Sequence, residues 1–511
     1  RDGSALTITT DHSVGAGHNS HTTRHPKMDV TNGRSMEHFR RLGVAERMRD
    51  VAVPRDHPMD VSWVTRLGEW ELARFRYPDV ETQRERIRAC NDGSQPLEPC
   101  MRLSQIVLEP VLRDILLESP LVEIRYGWEL ESFVEEADNV AVILHEIATG
   151  QRQKVRRTLL AGCDGGGSVV RTQLGITTEG SYSVAKLYMV HFRSEARDLL
   201  QRFGIAWHYQ SPVGRGLIAQ DDLETWTLHT IVPPGTDPAS LIPEEAVFEA
   251  LGARFELEVL KANPWSPHMV VASEFGRGRV WLAGDAVHQV IPTGGYGMNT
   301  GICDAVDLAW KFAARLQGWG GSGLLESIAA ERRPVEARNR EASAMHMQLR
   351  IDIAAAYDPK IHETGGEGDA TREAYGRLIT ELGNAENESL GIELDYRYRE
   401  SPIVCGEDNE PPQDMLRCIP STWPGARAPH LFLTDGTALY DRLGPWFTLL
   451  RFVDADVAPL ERAAVARGVP LAVVDIRDAH AHSVYERDLV LVRPDNHAAW
   501  RGNAMPDDRS R

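Results

Sequence analysis

The segment Arg279-Val280-Trp281-Leu282-Ala283-Gly284-Asp285-Ala286 is an apolar run that ends on a glycine and a carboxylate. In a nucleotide-binding sheet, ligands sit beyond the carboxyl ends of the strands. An aspartate placed there can accept hydrogen bonds from a sugar or polyol hydroxyl. A Gly-Asp after a strand is, by itself, more often a plain turn. The continuation sharpens it: Pro292-Thr293-Gly294-Gly295-Tyr296-Gly297-Met298-Asn299-Thr300-Gly301 puts three glycines ahead of a helix with Ile302, Ala305, Leu308, Phe312 and Leu316 on one face. Glycines let a flat ligand approach the backbone. A helix start offers free N–H groups and partial positive charge. The combination suits a planar ligand with a polyol arm and negative charge along one edge.

A second strand-to-loop unit, Thr158-Leu159-Leu160-Ala161 followed by Gly162-Cys163-Asp164-Gly165, offers another carboxylate beyond a strand end. The elements that must position these loops are legible by periodicity. Met36, Phe39, Leu42 and Val44 mark a helix within 27–50. Ile106, Val107, Val111, Leu112, Ile115 and Leu116 mark one over 103–118. Val122–Ile124 and Val140–Leu144 read as strands. The stretch 183–232 alternates, is rich in Trp, Tyr and His, and reads as an antiparallel sheet inserted between the two Gly-Asp halves. Residues 243–260 and 322–396 read as helical. The proline-rich Pro411–Pro429 reads as a linker. Beyond it, Phe447–Phe452, Leu471–Val474 and Leu489–Val492 read as strands of a small α/β domain.

The chain has 511 residues and a formal net charge of −18, with 42% hydrophobic and 25% charged residues. That balance is globular, and its length suggests about three domains. The negative charge argues against nucleic acid and anionic lipid as partners. No apolar run spans a bilayer and the first residues lack a signal-peptide core, so a cytoplasmic location is expected. The six cysteines form no C-x-x-C pair, and no His/carboxylate cluster has metal-ligand spacing, so no metal is expected.

The string from Ala283 through Asn299, with Asp304-Ala305-Val306-Asp307-Leu308-Ala309-Trp310-Lys311 and Glu331-Arg332-Arg333-Pro334-Val335, resembles the second flavin motif of the group A FAD-dependent aromatic hydroxylases. That group has the para-hydroxybenzoate hydroxylase fold and includes phenol, dichlorophenol and polyketide hydroxylases. Ala161–Gly165 with Ser168 and Val170-Arg171 resembles its Asp-Gly motif. Residues 424–433 and 489–501 resemble the C-terminal extension of its phenol-hydroxylase-like branch. The resemblance implies an α/β fold in four segments. Residues 1–178 and 271–410 would build a Rossmann-like (GR2-type) FAD-binding domain. Residues 179–270 would form the substrate-binding antiparallel sheet, and 411–511 a thioredoxin-like domain without redox cysteines. It implies FAD as cofactor, NADPH or NADH as electron donor, O2 as co-substrate, a flavin C4a-hydroperoxide as oxidant, a small phenolic substrate and a homodimer. Cofactor contacts would come from Lys27, Arg34, Gln105, Asp164, Gly165, Gly284, Asp285, Gly294, Gly297, Met298 and Asn299. Pro292 and Gly295 would border the reacting atoms. Trp207, His208, Tyr209 and Gln220 are candidate substrate contacts, and His288 is expected to make a structural hydrogen bond.

The family opens with strand, G-x-G-x-x-G and a second strand with a terminal acid, which hold the ADP half of FAD. Arg1-Asp2-Gly3 resembles the end of that second strand, so the opening unit is expected to be missing from the sequence. Gly15-Ala16-Gly17-His18-Asn19-Ser20 is not a substitute, since no strand precedes it. Lys27 stands where the family usually has arginine. Two rival readings remain: another flavoenzyme on the same fold, such as a halogenase, a reductase or a Baeyer–Villiger-like oxygenase, and a cofactor-free remnant.

Overall fold

The computed structural model of the chain describes residues 4–8 and 13–506. The expectation for Arg1–Gly3 lies outside them. A six-stranded sheet runs in the order Gly276–Arg277, Val280–Leu282, Leu159–Cys163, Ser4–Ile8, Ser13–Gly17, Val122–Tyr126. Leu159–Cys163 pairs parallel with Val280–Leu282, and Ser13–Gly17 pairs parallel with Val122–Tyr126. Between these pairs Ser4–Ile8 runs antiparallel to both neighbours. Residues 15–20 differ from the expectation. Gly15–Gly17 is strand, and a strand does precede it. The alternation that buries Val14 and Ala16 is too short, and its residues too small, to stand out as a pattern.

The two strands that carry the Gly-Asp and Asp-Gly loops are buried along most of their length, as expected of parallel strands covered on both faces. Leu160, Val280, Leu282, Ala286, Leu308 and Phe312 share one core. Leu308 and Phe312 bring the helix Tyr296–Leu316 onto the sheet. Helices Gln105–Leu117, Ser327–Ala355 and Gly366–Leu382 fall where periodicity placed them.

The inserted sheet is larger than its sequence segment. It has seven strands in the order Glu258–Trp265, Leu187–Arg193, Thr225–Ile231, Arg215–Ala219, His208–Ser211, Val61–Val64, Glu71–Phe75. The last two come from the first segment of the chain, so this layer is built from two separated stretches. The helix expected over 243–260 spans only Pro243–Leu251. Gly252, in the left-handed region at φ +72°, ends it, and Glu258–Trp265 is an edge strand. Tyr209, Leu217, Trp226 and Leu228 project from one face of the sheet into a closed apolar core.

Four strands, in the order Leu471–Asp475, Phe447–Arg451, Leu489–Val492, Ala498–Gly502, form the C-terminal sheet, with helices Ala458–Arg467 and Ala479–Tyr485. Buried charges tie it to the rest. Arg427 donates to both oxygens of Glu37, and Arg493 bonds Glu331 at 2.7 and 2.8 Å. Among the described residues no helix is long and apolar enough to cross a membrane.

Candidate active site

The Gly-Asp loop and the glycine-rich loop converge at the start of helix Tyr296–Leu316. Gly284 takes φ +62°, a conformation that costs a residue with Cβ about 1–2 kcal/mol. Its N–H donates to Asp304 Oδ2 at 3.1 Å. A Cβ on Gly301 would stand 3.2 Å from the Gly284 Cα, so loop and helix touch backbone to backbone. The Asp285 side chain that follows is exposed and accepts no hydrogen bond from the described residues. Gly294 and Gly295 both have positive φ, +87° and +66°. Gly295 caps the helix with no side-chain hydrogen bond, so the first-turn N–H groups are left for a ligand. A Cβ on Gly297 would find only a Val290 methyl at 3.8 Å, an open approach for a flat group.

These features fit a flavin. A free carboxylate stands at a strand's carboxyl end for the ribityl hydroxyls, and unpaired N–H groups at a helix start face its anionic edge. The glycine geometry carries a prediction. Gly294→Ala would force φ +87° on an L residue and set its Cβ 2.4 Å from the Tyr296 ring. We expect at least the ~1–2 kcal/mol of left-handed strain and a measurable loss of FAD affinity in a fluorescence-quenching titration.

The other expected cofactor residues divide. Met298 packs against the apolar cluster that contains Met36 and Phe39. Asn299 is buried and works as a clamp: its Nδ2 donates to the Val30 and Gly295 carbonyls, while its Oδ1 accepts from Asn32 N–H and Ser35 Oγ. Only its backbone is left for a flavin. The Pro292 ring is exposed and its carbonyl accepts from Gly295 N–H at 3.0 Å. Asp164 caps the helix Val169–Gln173, accepting from Ser168 Oγ at 2.5 Å and Val170 N–H at 3.1 Å, beside Gly165 at φ +77°. Gln105 donates to Glu109 at 2.7 Å, and Glu109 in turn accepts from Thr23 N–H at 2.6 Å. Lys27 is exposed.

Arg34 is placed differently from the expectation. Its guanidinium is buried and bonds Glu37 at 3.1 Å, the Asp495 carbonyl at 2.6 Å and the Tyr396 hydroxyl at 3.4 Å. These partners turn it toward the C-terminal domain, where its charge offsets buried Glu37, and leave it no free donor row for a pyrophosphate.

The substrate candidates also separate. Tyr209 points into the closed core, where its hydroxyl donates to the Gly204 carbonyl at 2.9 Å. The period of two in a strand sends Tyr209 and His208 to opposite faces, so adjacent residues cannot share a pocket. Trp207 donates its indole N–H to Asp29. Gln220 is buried at the end of its strand with Oε1 unpartnered.

Several residues that the sequence marks only as members of a motif, or, as with Glu336, Arg350 and Glu386, not at all, position these loops. Arg171 joins the two loops, donating to the Ala286 carbonyl at 2.6 Å and the Gly166 carbonyl at 2.8 Å. Arg332 donates to Asp304 at 2.7 Å, beside His288 and Glu336. Burial pushes the Asp304 carboxyl up, but Arg332 and His288 outweigh it and hold it well below its usual range. His288 thus belongs to a buried network under the Gly-Asp loop. That network holds its own cation, the Arg332 guanidinium. Glu386 accepts from Gly294 N–H at 3.3 Å and from Arg350 at 2.7 and 2.8 Å.

Comparison with known proteins agrees with this geometry. The FAD binding domain family matches residues 17–343, and the aromatic-ring hydroxylase C-terminal domain matches 421–511. An FAD-dependent monooxygenase of Emericella nidulans is 37% identical over 95% of this chain and 82% of its own length. Phenol 2-monooxygenase of a Pseudomonas species is 28% identical over 95% and 85%. The solved structure of the rebeccamycin biosynthetic enzyme RebC with reduced flavin superposes with a TM-score of 0.86 at 35% identity, covering 96% of this chain and 91% of that one. The chain belongs to the FAD-binding family of aromatic-ring hydroxylases and is an FAD-dependent aromatic monooxygenase.

Proposed function

We propose that the chain hydroxylates a phenolic aromatic, taking electrons from NADPH or NADH and oxygen from O2. Bound FAD would supply hydride acceptance and oxygen activation. In the net reaction one oxygen atom enters the ring as hydroxyl, the other leaves as water, and one NAD(P)H is oxidised. The protein's part is to bind, orient and exclude water. The single observation that carries the reading is the free Asp285 carboxylate beside the uncapped start of helix Tyr296–Leu316.

Asp285 would accept from the ribityl hydroxyls. The backbone N–H groups at Gly297, Met298 and Asn299 would stabilise negative charge on the ring edge. Pro292 and Gly295 would border the space between this loop and the inserted sheet, where an electron-rich ring would lie. A phenolate is a better nucleophile than a phenol, so groups that stabilise a substrate oxyanion would raise the rate.

The test is the visible spectrum of the purified chain with added FAD, then NADPH and NADH oxidation with a panel of phenols. Bound flavin and phenol-stimulated oxidation are expected. Flavin binding with oxidation that no phenol stimulates would contradict the proposal and favour another flavoenzyme chemistry on this fold.

A further inference from the structure

The two faces of the seven-stranded sheet are unlike. One is sealed in the apolar core. On the other, register aligns His208, Ile218, Thr227 and His191 in one cross-strand row, and Gln210, Gly216, His229 and Met189 in the next. This face meets the cofactor loop at two points. Val30 and Ile218 pack against one apolar cluster, which contains Trp207, and Val30 would stand 2.9 Å from a Cβ on Gly295. Arg350, whose charge reaches both His208 and His229, bonds the carboxylate that accepts from Gly294 N–H.

Two ring nitrogens on this face, His208 Nε2 and His229 Nδ1, are buried with no hydrogen-bond partner. Gln210 Nε2 donates to His208 Nδ1 at 3.3 Å, which leaves the proton on Nε2 as a donor. The nearest carboxylate oxygen, Asp29 Oδ2, is 3.9 Å from it, beyond hydrogen-bond reach, and already accepts from Trp207. Burial, with Arg350 and Arg102 nearby, holds His208 neutral. Burial, His25 and Arg350 bring His229 down to about 4. A buried polar atom without a partner is costly, and a bound ligand would remove that cost. The two side chains spring from strands two apart and from neighbouring rows, about 10 Å across the strands at ~4.8 Å each and about 7 Å along them.

We propose that His208 and His229 are specificity-determining residues that hold oxygen substituents at two separated positions of the aromatic substrate, so that the chain prefers a ring system oxygenated at both ends over a monophenol. The proposal rests on the reading of the site as an aromatic hydroxylase's. His229 joins His208 on the same face, while Tyr209 leaves it.

The experiment uses FAD-loaded protein and two probes, 2,6-dihydroxynaphthalene and 2-naphthol, followed by their perturbation of the flavin absorbance. The wild type is expected to bind the diol about tenfold more tightly. His208→Phe and His229→Phe should each bring the two probes within about twofold of one another, with flavin content unchanged. His208→Asn, which keeps a donor, should restore part of the preference and serves if the phenylalanine variant does not fold. Variants that weaken both probes equally, or a preference that survives both substitutions, would overturn the histidine assignment alone. A wild type that prefers neither probe overturns it as well. If neither probe perturbs the flavin while FAD remains bound, the aromatic-substrate reading fails and the proposal falls with it.

Discussion

Asp285→Ala is expected to lower FAD affinity about 10- to 100-fold, with the fold intact. The carboxylate is exposed and has no partner among the described residues, so its removal takes nothing from the apo protein. A hydrogen bond to a charged group is worth about 1.5–3 kcal/mol, and ~1.4 kcal/mol is a factor of ten. Asp285→Asn keeps the shape and an acceptor, and should fall between wild type and alanine. Flavin fluorescence quenching measures the affinity, and thermal unfolding of the apo protein checks the fold. An unchanged dissociation constant would remove Asp285 from the site. Loss of apo stability would show that the side chain has a structural duty instead.

Arg493→Ala is expected to destabilise the protein by about 3–5 kcal/mol, the scale of an orphaned buried charge, and to loosen the C-terminal domain first. Arg493 and Lys311 are buried with three carboxylates, Asp307, Glu331 and Asp495. Burial pushes Asp307 up to about 7 despite Lys311, so near neutrality two cations face two full carboxylate charges and one group that readily holds a proton. Burial also pushes Glu331 up, but Arg493 and Lys311 outweigh it and hold it at about 2.

The pH dependence follows from both signs. Glu331 lies lower folded than its ordinary 4.5, so its contribution is present above that value and is lost as pH falls toward about 2. Asp307 lies higher folded than its ordinary 3.8, so its contribution is full below that value and is lost as pH rises through about 7. Docking should therefore be firmest at about pH 4, where Glu331 has gained most of its contribution and Asp307 has lost little, and should weaken steadily as pH rises toward about 7. Tryptophan fluorescence can follow it, since Trp319 packs on Trp446 at 5.2 Å and Trp310 on Phe447 at 6.0 Å across the same junction. Urea titrations of Arg493→Ala and of Arg493→Met with Glu331→Leu make the decisive pair. The double variant should lose less than the single, because it leaves fewer unpaired charges buried. Equal losses would mean that packing, not charge, holds the domain.

Much of this architecture is legible in the chain because local signals and tertiary roles coincide. The strand through Leu282, the Gly284-Asp285 turn and the helix face of Leu308 and Phe312 each read correctly, since a buried strand needs an apolar run and a packed helix needs its period. Chemistry carried by long-range pairing does not read. Arg34 looks like a cofactor arginine until Asp495 and Tyr396, hundreds of residues away, join nearby Glu37 around it. Val61–Val64 and Glu71–Phe75 carry no mark that they complete a sheet whose other strands begin at Leu187. Tyr209 and His208 look interchangeable in a Trp/Tyr/His-rich stretch, and only the strand's alternation and the identity of the core face separate them. Asn299 is legible as a residue of the glycine-rich loop, but its side chain's role as a clamp depends on Val30, Asn32 and Ser35.

The most direct test of the central claim is turnover of the FAD-loaded chain with NADPH and a responsive phenol under 18O2, with mass spectrometry of the product. One labelled oxygen in the ring of the product is expected for each NADPH consumed in coupled turnover. NADPH oxidation that yields only hydrogen peroxide and unlabelled, unmodified aromatic across the panel would contradict it.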